Sequence, residues 1–244
     1  MDQNIVNQLA PTGVLRVGIN LGNILLVTGK TGTGDPAGVS PDMAAAIADR
    51  LGVGLELVSF ASPGAVADAV SDGVWDIALI AADPKRAETL AFAPAYVEIE
   101  ATYLVQAGSG ISSIDDVDQP GVRIAVSARS AYDLWLDRNL KHAELVRGDG
   151  LAGAFTLFRD EKLDVLAGLR PALRSNAAEM PGTRVLDGRY MSVQQAIATQ
   201  PDNTEGLAFL DAFVREATGN GLVERLITRH GVEGRLTVAV PQDR

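Results

Sequence analysis

The sequence predicts an α/β protein with two lobes, each a β-sheet flanked by helices. Residues 14–81 alternate apolar, strand-like runs with helix-like segments, as in a β-α-β-α-β unit, and residues 121–187 repeat this alternation. Two β-rich segments, 97–105 and 190–198, are placed to cross between the lobes, so a cleft is expected. The expected domains are 1–100 plus 195–244 for lobe 1 and 101–194 for lobe 2.

Turn-forming residues punctuate the apolar runs of the first lobe. A strand over 14–20 leads into an exposed hairpin or loop at 28–36. Ser40 is predicted to cap a helix with a proline in its first turn, and Gly52 to end it. The other elements expected before the crossing are a strand over 54–59, a helix over 64–71 and a strand over 75–81.

The later part of the chain is expected to contain a second sheet and two closing helices. The predicted strands cover 97–105, 121–126, 143–147, 163–167, 183–187 and 190–198. The predicted helices cover 131–140, 151–160, 172–180, 207–218 and 222–230.

Composition excludes several classes of function. The 244 residues carry 21 Lys and Arg against 31 Asp and Glu, a formal net charge of −10, which argues against nucleic acid or an anionic membrane as partner. No run approaches the roughly 18 apolar residues of a membrane span. There is no cysteine, and the two histidines, His142 and His230, lack ligand spacing. No metal or cofactor is therefore predicted.

The candidate site centres on the turn after the strand over 75–81. Asp83-Pro84 breaks the apolar run, so Arg86 lies just beyond the carboxyl end of a central strand. Ligands bind at that edge of open α/β sheets, and a guanidinium offers a planar fork to a carboxylate or phosphate. The alternative is that Arg86 pairs with Glu88 or Asp83 on a solvated turn.

The segment from Arg86 through Phe92 to Tyr96 resembles the Thr-x-x-Arg…Phe-Ser-x-Pro-Tyr segment of the family 3 extracellular solute-binding proteins, the amino-acid-binding receptors of ABC importers. Residues 38–52 resemble the family's Gly-Phe-x-x-Asp-Leu…Leu-Gly segment, with valine in place of the aromatic residue. The tail around 220–231 is similar to its C-terminal Leu…Gly-x-Leu…Gly pattern. The resemblance covers nearly the whole chain. It implies the type II periplasmic-binding-protein fold, with two crossing strands as hinge.

The resemblance implies a ligand site to which both lobes contribute. The family's arginine, matched by Arg86, grips the ligand's α-carboxylate, while Asp83 stands where the family has threonine. The family's Gly-Thr-Thr contacts the same carboxylate from the second lobe and is matched by Arg129-Ser130-Ala131. Ser130 also has the pattern of a helix N-cap with Asp133, and a helix N-terminus presents free amides to an anion. Arg129 either adds charge there or points to solvent.

Residues 163–170 resemble the family's Val-Asp-Ala-Val-Val-x-Asp segment, whose last aspartate binds the ligand's α-ammonium. Leu169 stands at that position and Arg170 follows it. A buried ammonium without a carboxylate partner is costly. Either another acid, Asp83 or Asp187, supplies the partner, or the ligand has no amine and Arg170 meets a second acidic group. Arg170 capping a strand end in solvent is the remaining alternative.

Seven residues make up the predicted ligand site, and none is predicted to be catalytic. Asn23 offers an amide to the ligand or makes a local turn. The full set is Asn23, Ala81, Asp83, Arg86, Arg129, Ser130 and Arg170.

The predicted function is that of the substrate-binding component of an ABC importer, which closes by hinge motion on a small carboxylate-bearing solute. The expected partners are that ligand and the transporter permease, with the protein a monomer in the periplasm. Residues 1–7 lack the basic start and apolar core of a signal peptide, so the export signal is expected to have been removed or replaced. The alternative is an enzyme resembling the cyclohexadienyl and arogenate dehydratases, with Asp83, Asp187 or Glu98 as the candidate acid.

Overall fold

The structure is a computed structural model that describes residues 2–240. Its helices are α1 (Gln3–Leu9), α2 (Val39–Leu51), α3 (Pro63–Asp68), α4 (Ala131–Asn139), α5 (Gly150–Asp160), α6 (Arg170–Glu179), α7 (Thr204–Gly219) and α8 (Leu222–Arg229). Its strands are β1 (Val14–Asn20), β2 (Gly29–Lys30), β3 (Pro36–Ala37), β4 (Gly54–Phe60), β5 (Ile77–Ala81), β6 (Ala91–Phe92), β7 (Val97–Gln106), β8 (Arg123–Ser127), β9 (Glu144–Gly148), β10 (Val165–Leu169), β11 (Thr183–Val185), β12 (Met191–Thr199) and β13 (Thr237–Val238). Short 3-10 segments cover Ala69–Asp72, Arg86–Glu88 and Ile114–Asp116.

The chain forms two compact units. Unit 1 contains the described residues up to Glu98 and from Gln194 onward, and unit 2 is Ile99–Val193. The chain passes from one unit to the other within β7 and again within β12. The predicted α/β class with two crossing strands is therefore confirmed.

The sheet of unit 1 has the order β4-β1-β5-β12. β1 runs parallel to β4 and to β5, whereas β12 is antiparallel to β5. All five residues of β5 are buried, as the continuous apolar run predicted. Parallel strands end at the same edge of a sheet, so the loops after β1 and after β5 emerge side by side.

An ion pair fixes the alignment of β1 and β5. The Asp76 carboxylate is buried immediately before β5 and accepts hydrogen bonds from three nitrogen atoms of Arg16: the backbone N at 2.9 Å, Nε at 3.1 Å and Nη2 at 2.6 Å. Charged hydrogen bonds of this kind hold both partners in one geometry. These contacts near the start of both strands therefore also fix where the two strands end relative to each other.

The start of α2 differs from the prediction. The helix begins at Val39 with Gly38 as its N-cap, and the buried Ser40 hydroxyl lies 2.8 Å from the Tyr96 hydroxyl instead of capping the helix. Gly38 has φ +154°, and a Cβ there would lie 2.2 Å from the backbone carbonyl oxygen of Leu26. Only glycine fits so close to another backbone segment. The end of the helix is as predicted, with Gly52 in the left-handed region.

Unit 2 has the sheet order β7-β10-β8-β9. β8 is parallel to both β10 and β9, and β10 is antiparallel to β7. One apolar cluster includes Leu104, Phe158 and Leu173. A separate aromatic group contains Tyr103, which stacks on Tyr190 with ring centroids 4.5 Å apart, and Trp135 beside Tyr190 at 5.3 Å. The carboxyl ends of β8 and β10 lead directly into α4 and α6.

Most predicted elements are present within a few residues of their expected bounds, including the 28–36 hairpin, which is formed by β2 and β3. The helix expected over 64–71 is divided into α3 and a 3-10 segment, Ala69–Asp72, which Gly73 ends in the left-handed region. α6 begins at Arg170, two residues earlier than expected, with Pro171 in its first turn. The sequence did not predict α1 or β13.

Gly38→Ala is expected to lower the free energy of unfolding by at least about 2 kcal/mol, because the new methyl group collides with a backbone oxygen that cannot move away cheaply. The check is urea unfolding followed by circular dichroism. Gly32→Ala is the matched control, since a Cβ at Gly32 meets nothing within 4 Å. Equal stability of the two variants would contradict this account of the α2 start.

Candidate functional site

Arg86 is a buried residue on a largely exposed turn of unit 1. It opens the Arg86–Glu88 segment, and its side chain is only 5% exposed. Its Nη1 donates a 2.7 Å hydrogen bond to the carbonyl oxygen of Ala81, the last residue of β5. Glu88 pairs instead with Lys85 at 2.7 Å. The Arg86 guanidinium is therefore buried, and Ala81 contributes its backbone oxygen to the orientation of that group.

Asp83 shapes the turn that carries Arg86. Its carboxylate is buried, with Oδ1 accepting from the backbone N of Lys85 at 2.8 Å. Its carbonyl oxygen accepts from the backbone N of Ala87 at 2.9 Å. Aspartate commonly bonds the backbone two residues on in this way. Asp83 thus holds the chain in the geometry that directs Arg86 inward.

Asn23 lies in the neighbouring loop after β1. Its Oδ1 accepts from the backbone N of Leu25 at 3.2 Å, which is the local turn that the sequence left as an alternative. Two apolar side chains of the same loop are unusually exposed, Leu21 at 38% and Ile24 at 60%. Because β1 and β5 are adjacent and parallel, this loop and the Arg86 turn share one edge of the unit 1 sheet.

Ser130 caps α4 in unit 2, as predicted. Its Oγ accepts from the backbone N of Asp133 at 3.0 Å, and Asp133 Oδ2 accepts from the backbone N of Arg129 at 2.7 Å. Arg129 is exposed and has φ +58°, in the left-handed region that favours glycine. Glycine adopts this backbone conformation without strain, which is a physical reason for the glycine in the family motif that Arg129-Ser130-Ala131 resembles.

Tyr132 places a buried hydroxyl in the first turn of α4. The residue is 4% exposed, and burial raises the pKa of its hydroxyl to about 12. The hydroxyls of Ser130 and Ser127 lie near enough to oppose that rise, but no hydrogen bond of normal geometry satisfies the Tyr132 hydroxyl. A neutral O–H donor is therefore held at this end of the helix, and buried polar groups of this kind normally have a partner.

The Asp133 carboxylate forms an ion pair with an arginine outside its own helix. Burial raises the pKa of its carboxyl group, and the Arg147 guanidinium opposes that rise from 2.9 Å. Arg147 also pairs with Asp137. These contacts keep the start of α4 in place against β9.

Arg170 is bonded within unit 2. Its Nε donates to Glu100 Oε2 at 2.6 Å, its Nη1 to the Leu186 carbonyl oxygen at 3.2 Å, and its Nη2 to the Gly188 carbonyl oxygen. Arg189 reaches the same Glu100 carboxylate at 3.0 Å. With a side chain only 16% exposed, Arg170 does not cap a strand end in solvent, so that alternative is wrong. Its three donating nitrogens favour a structural role over contact with a ligand.

The predicted residues therefore form one group in each unit. Asn23, Ala81, Asp83 and Arg86 lie at the edge where β1 and β5 end, and Arg129, Ser130 and Arg170 follow the adjacent ends of β8 and β10. Sequence reasoning did not single out Tyr132 or Glu100. The only signal for Tyr132 was its place two residues after a predicted N-cap, and its burial depends on packing that a local pattern does not specify.

Comparison with known families decides the assignment. The model of the bacterial extracellular solute-binding proteins, family 3, matches residues 15–233. The chain belongs to this family. No curated protein matches the chain.

Solved structures of similar fold include other solute-binding proteins. The amino acid ABC transporter substrate-binding protein AbpA from Streptococcus pneumoniae, bound to L-arginine, is 21% identical with a TM-score of 0.74, over 91% of this chain and 96% of that one. A putative ABC transporter binding component from Wolinella succinogenes, complexed with lysine, is 22% identical with a TM-score of 0.74, over 89% and 95%. The ancestral amino acid-binding protein AncCDT-1, a precursor of cyclohexadienyl dehydratase, is 21% identical with a TM-score of 0.75, over 92% and 97%. At these identities the likeness establishes the fold.

Within residues 2–240, none of the helices combines the length and the apolar character that crossing a bilayer demands. In the same part of the solute-binding protein, no three His, Cys, Asp or Glu side chains are grouped so as to hold a metal ion.

Glu100→Gln is expected to lower the free energy of unfolding at pH 7 by up to about 1 kcal/mol, a figure that allows for screening by solvent. Arg170, and after it Arg189, lowers the pKa of Glu100 despite some burial. A carboxyl group with a lowered native pKa stabilises the fold above its unfolded pKa, about 4.3, and this contribution is lost as the pH falls below that value.

The measurement is urea unfolding of wild type and variant at pH 7 and near pH 3, where the difference should vanish. Glu144→Gln, on the exposed edge strand β9, is the control and should be neutral at both pH values. An equal deficit of the Glu100 variant at both pH values would show that its charge does not matter.

Proposed function

We propose that this family member is the substrate-binding component of an ABC importer and binds a small carboxylate-bearing solute between its two units. The observation that carries the proposal is the buried guanidinium of Arg86 at the carboxyl end of β5, oriented by the Ala81 carbonyl. Guanidinium groups recognise carboxylates through two parallel hydrogen bonds, and a pre-oriented one loses little entropy on binding. Membership in the solute-binding family supports the same role.

Unit 2 supplies a second set of donors for the same ligand group. The first amides of α4 and the Tyr132 hydroxyl lie at the end of β8, where a helix N-terminus favours negative charge. A carboxylate held by Arg86 and by these donors stabilises a closed state through contacts that an open state lacks. That difference in affinity is what a ligand needs in order to shift a conformational equilibrium.

The remaining parts of the proposal follow from the family. The family consists of bacterial extracellular proteins. We place this protein in the periplasm as a monomer that delivers its ligand to the permease of an ABC transporter. Binding without chemistry is part of the proposal.

The test of the proposed function is isothermal titration calorimetry against amino acids, oxo acids, hydroxy acids and dicarboxylates. Each ligand that binds is then recovered and analysed by NMR. Saturable binding with the ligand recovered unchanged supports a receptor, and absence of binding by every carboxylate contradicts it. Conversion of the ligand would favour an enzyme such as a dehydratase, an alternative raised by the likeness to the AncCDT-1 fold.

Arg86→Lys is expected to weaken binding of the titrated carboxylate by at least about tenfold, since lysine keeps the charge but loses the planar fork. Lys85→Ala is the matched control, because Lys85 is the exposed neighbour of Arg86 and pairs only with Glu88 in the described contacts. Titration calorimetry gives the affinities, and the melting temperature shows whether the variants are folded. Unchanged affinity with a lowered melting temperature would restrict Arg86 to a structural role.

A further inference from the structure

We infer that the ligand is a carboxylate without an adjacent ammonium group, such as an α-oxo or α-hydroxy acid. This inference rests on the proposed function and specifies its substrate class. The charges that support it lie at one edge of unit 2, where β8 and β10 end and β7 enters the unit.

That edge carries more positive than negative groups. With Asp133 and its partner Arg147 included, four guanidinium groups stand against three carboxylates there: Arg129, Arg147, Arg170 and Arg189 against Glu100, Asp133 and Asp187. An edge with a surplus of positive charge attracts an anionic ligand and repels the ammonium group of a ligand.

Glu100 is already paired with two guanidinium groups. Its Oε2 accepts from Arg170 at 2.6 Å and its Oε1 from Arg189 at 3.0 Å. A ligand ammonium at this carboxylate would lie close to both positive charges. Asp133, the buried carboxylate of α4, is likewise held by Arg147.

The end of β10 offers no acceptor from its side chain. Leu169 is the last residue of the strand, is apolar and is 5% exposed. Asp187 is exposed, but the carbonyl oxygens on either side of it, those of Leu186 and Gly188, both accept from Arg170. Asp187 thus lies next to the Arg170 guanidinium, and the other carboxylates of this edge, Glu100 and Asp133, are paired with arginine.

These contacts favour a ligand with oxygen next to its carboxylate. Burying an ammonium without a carboxylate partner is unfavourable, whereas a keto or hydroxyl oxygen accepts hydrogen bonds from donors already present. The Tyr132 hydroxyl, which has no partner of normal geometry, is one such donor. The Asp83 carboxylate of unit 1 already accepts a hydrogen bond within its turn, from the backbone N of Lys85 to Oδ1.

The experiment compares acids that share a side chain and differ only at the α-carbon. Calorimetry is performed with amino acids of small, branched, aromatic, acidic and basic side chains, each beside its α-oxo and α-hydroxy counterpart. For the side chain that binds best, the oxo or hydroxy acid is expected to bind at least about tenfold more tightly than the amino acid, about 1.4 kcal/mol. An amino acid that binds equally or more tightly overturns this inference and leaves the proposed function standing. Absence of binding by every acid overturns both.

Leu169→Asp adds a carboxylate at the end of β10, and Leu169→Asn is the control of the same size without the charge. The Asp variant is expected to bind the amino acid that carries the best-binding side chain at least about tenfold more tightly than the Asn variant does. Equal affinities in two folded variants would contradict the placement of the α-substituent near this strand end. If either variant fails to fold, the wild-type comparison still decides the question.

Asp187→Asn tests the remaining carboxylate of this edge. A selective loss of amino-acid affinity in this variant would show that Asp187 supplies an ammonium partner, against the inference. Unaltered relative affinities for the amino, oxo and hydroxy acids that share the best-binding side chain would support the inference.

Discussion

The hydrogen bond from Arg86 to the carbonyl oxygen of Ala81 is the contact on which the candidate site depends. It turns a cation that would otherwise extend into water back over the end of β5, and it requires Asp83 to close the turn. β5 itself is a rigid support, because both its faces are buried and the Asp76 carboxylate ties its start to Arg16 on β1. The rigid sheet thus fixes the position of the Arg86 guanidinium, which would otherwise move with its flexible side chain.

Unit 2 uses charged groups differently. Arg170 and Arg189 converge on Glu100, and Arg147 on Asp133, so that several guanidinium groups are used to fasten strands and helices to one another. At the start of α4, helix amides and the Tyr132 hydroxyl lie near the exposed Arg129. The two units therefore differ, because unit 1 holds its cation buried whereas unit 2 combines an exposed cation with neutral donors.

Local sequence patterns predicted those parts of the candidate site that depend on residues close together in the chain. The Ser130 cap and the turn after β5 depend on residues within a few positions of each other, and both were located correctly. Ser40 was misassigned because its hydroxyl is taken by Tyr96, 56 positions away, while Gly38 is forced to the N-cap by the Leu26 carbonyl. Arg170 could not be resolved for the same reason, since its partner Glu100 lies 70 positions earlier.

Backbone hydrogen bonds, the Asn23 side-chain oxygen and the buried side chains of Leu25 and Leu26 hold the loop after β1. The Asn23 carbonyl oxygen accepts from the backbone N of Leu26 and Val27, and the Leu26 carbonyl oxygen accepts from the backbone N of Ser40 at 3.1 Å. None of these bonds involves the side chains of Leu21 or Ile24. New side chains at those two exposed positions would alter what the loop presents to its surroundings at little cost in folding, so divergence in recognition can proceed there without threatening the scaffold.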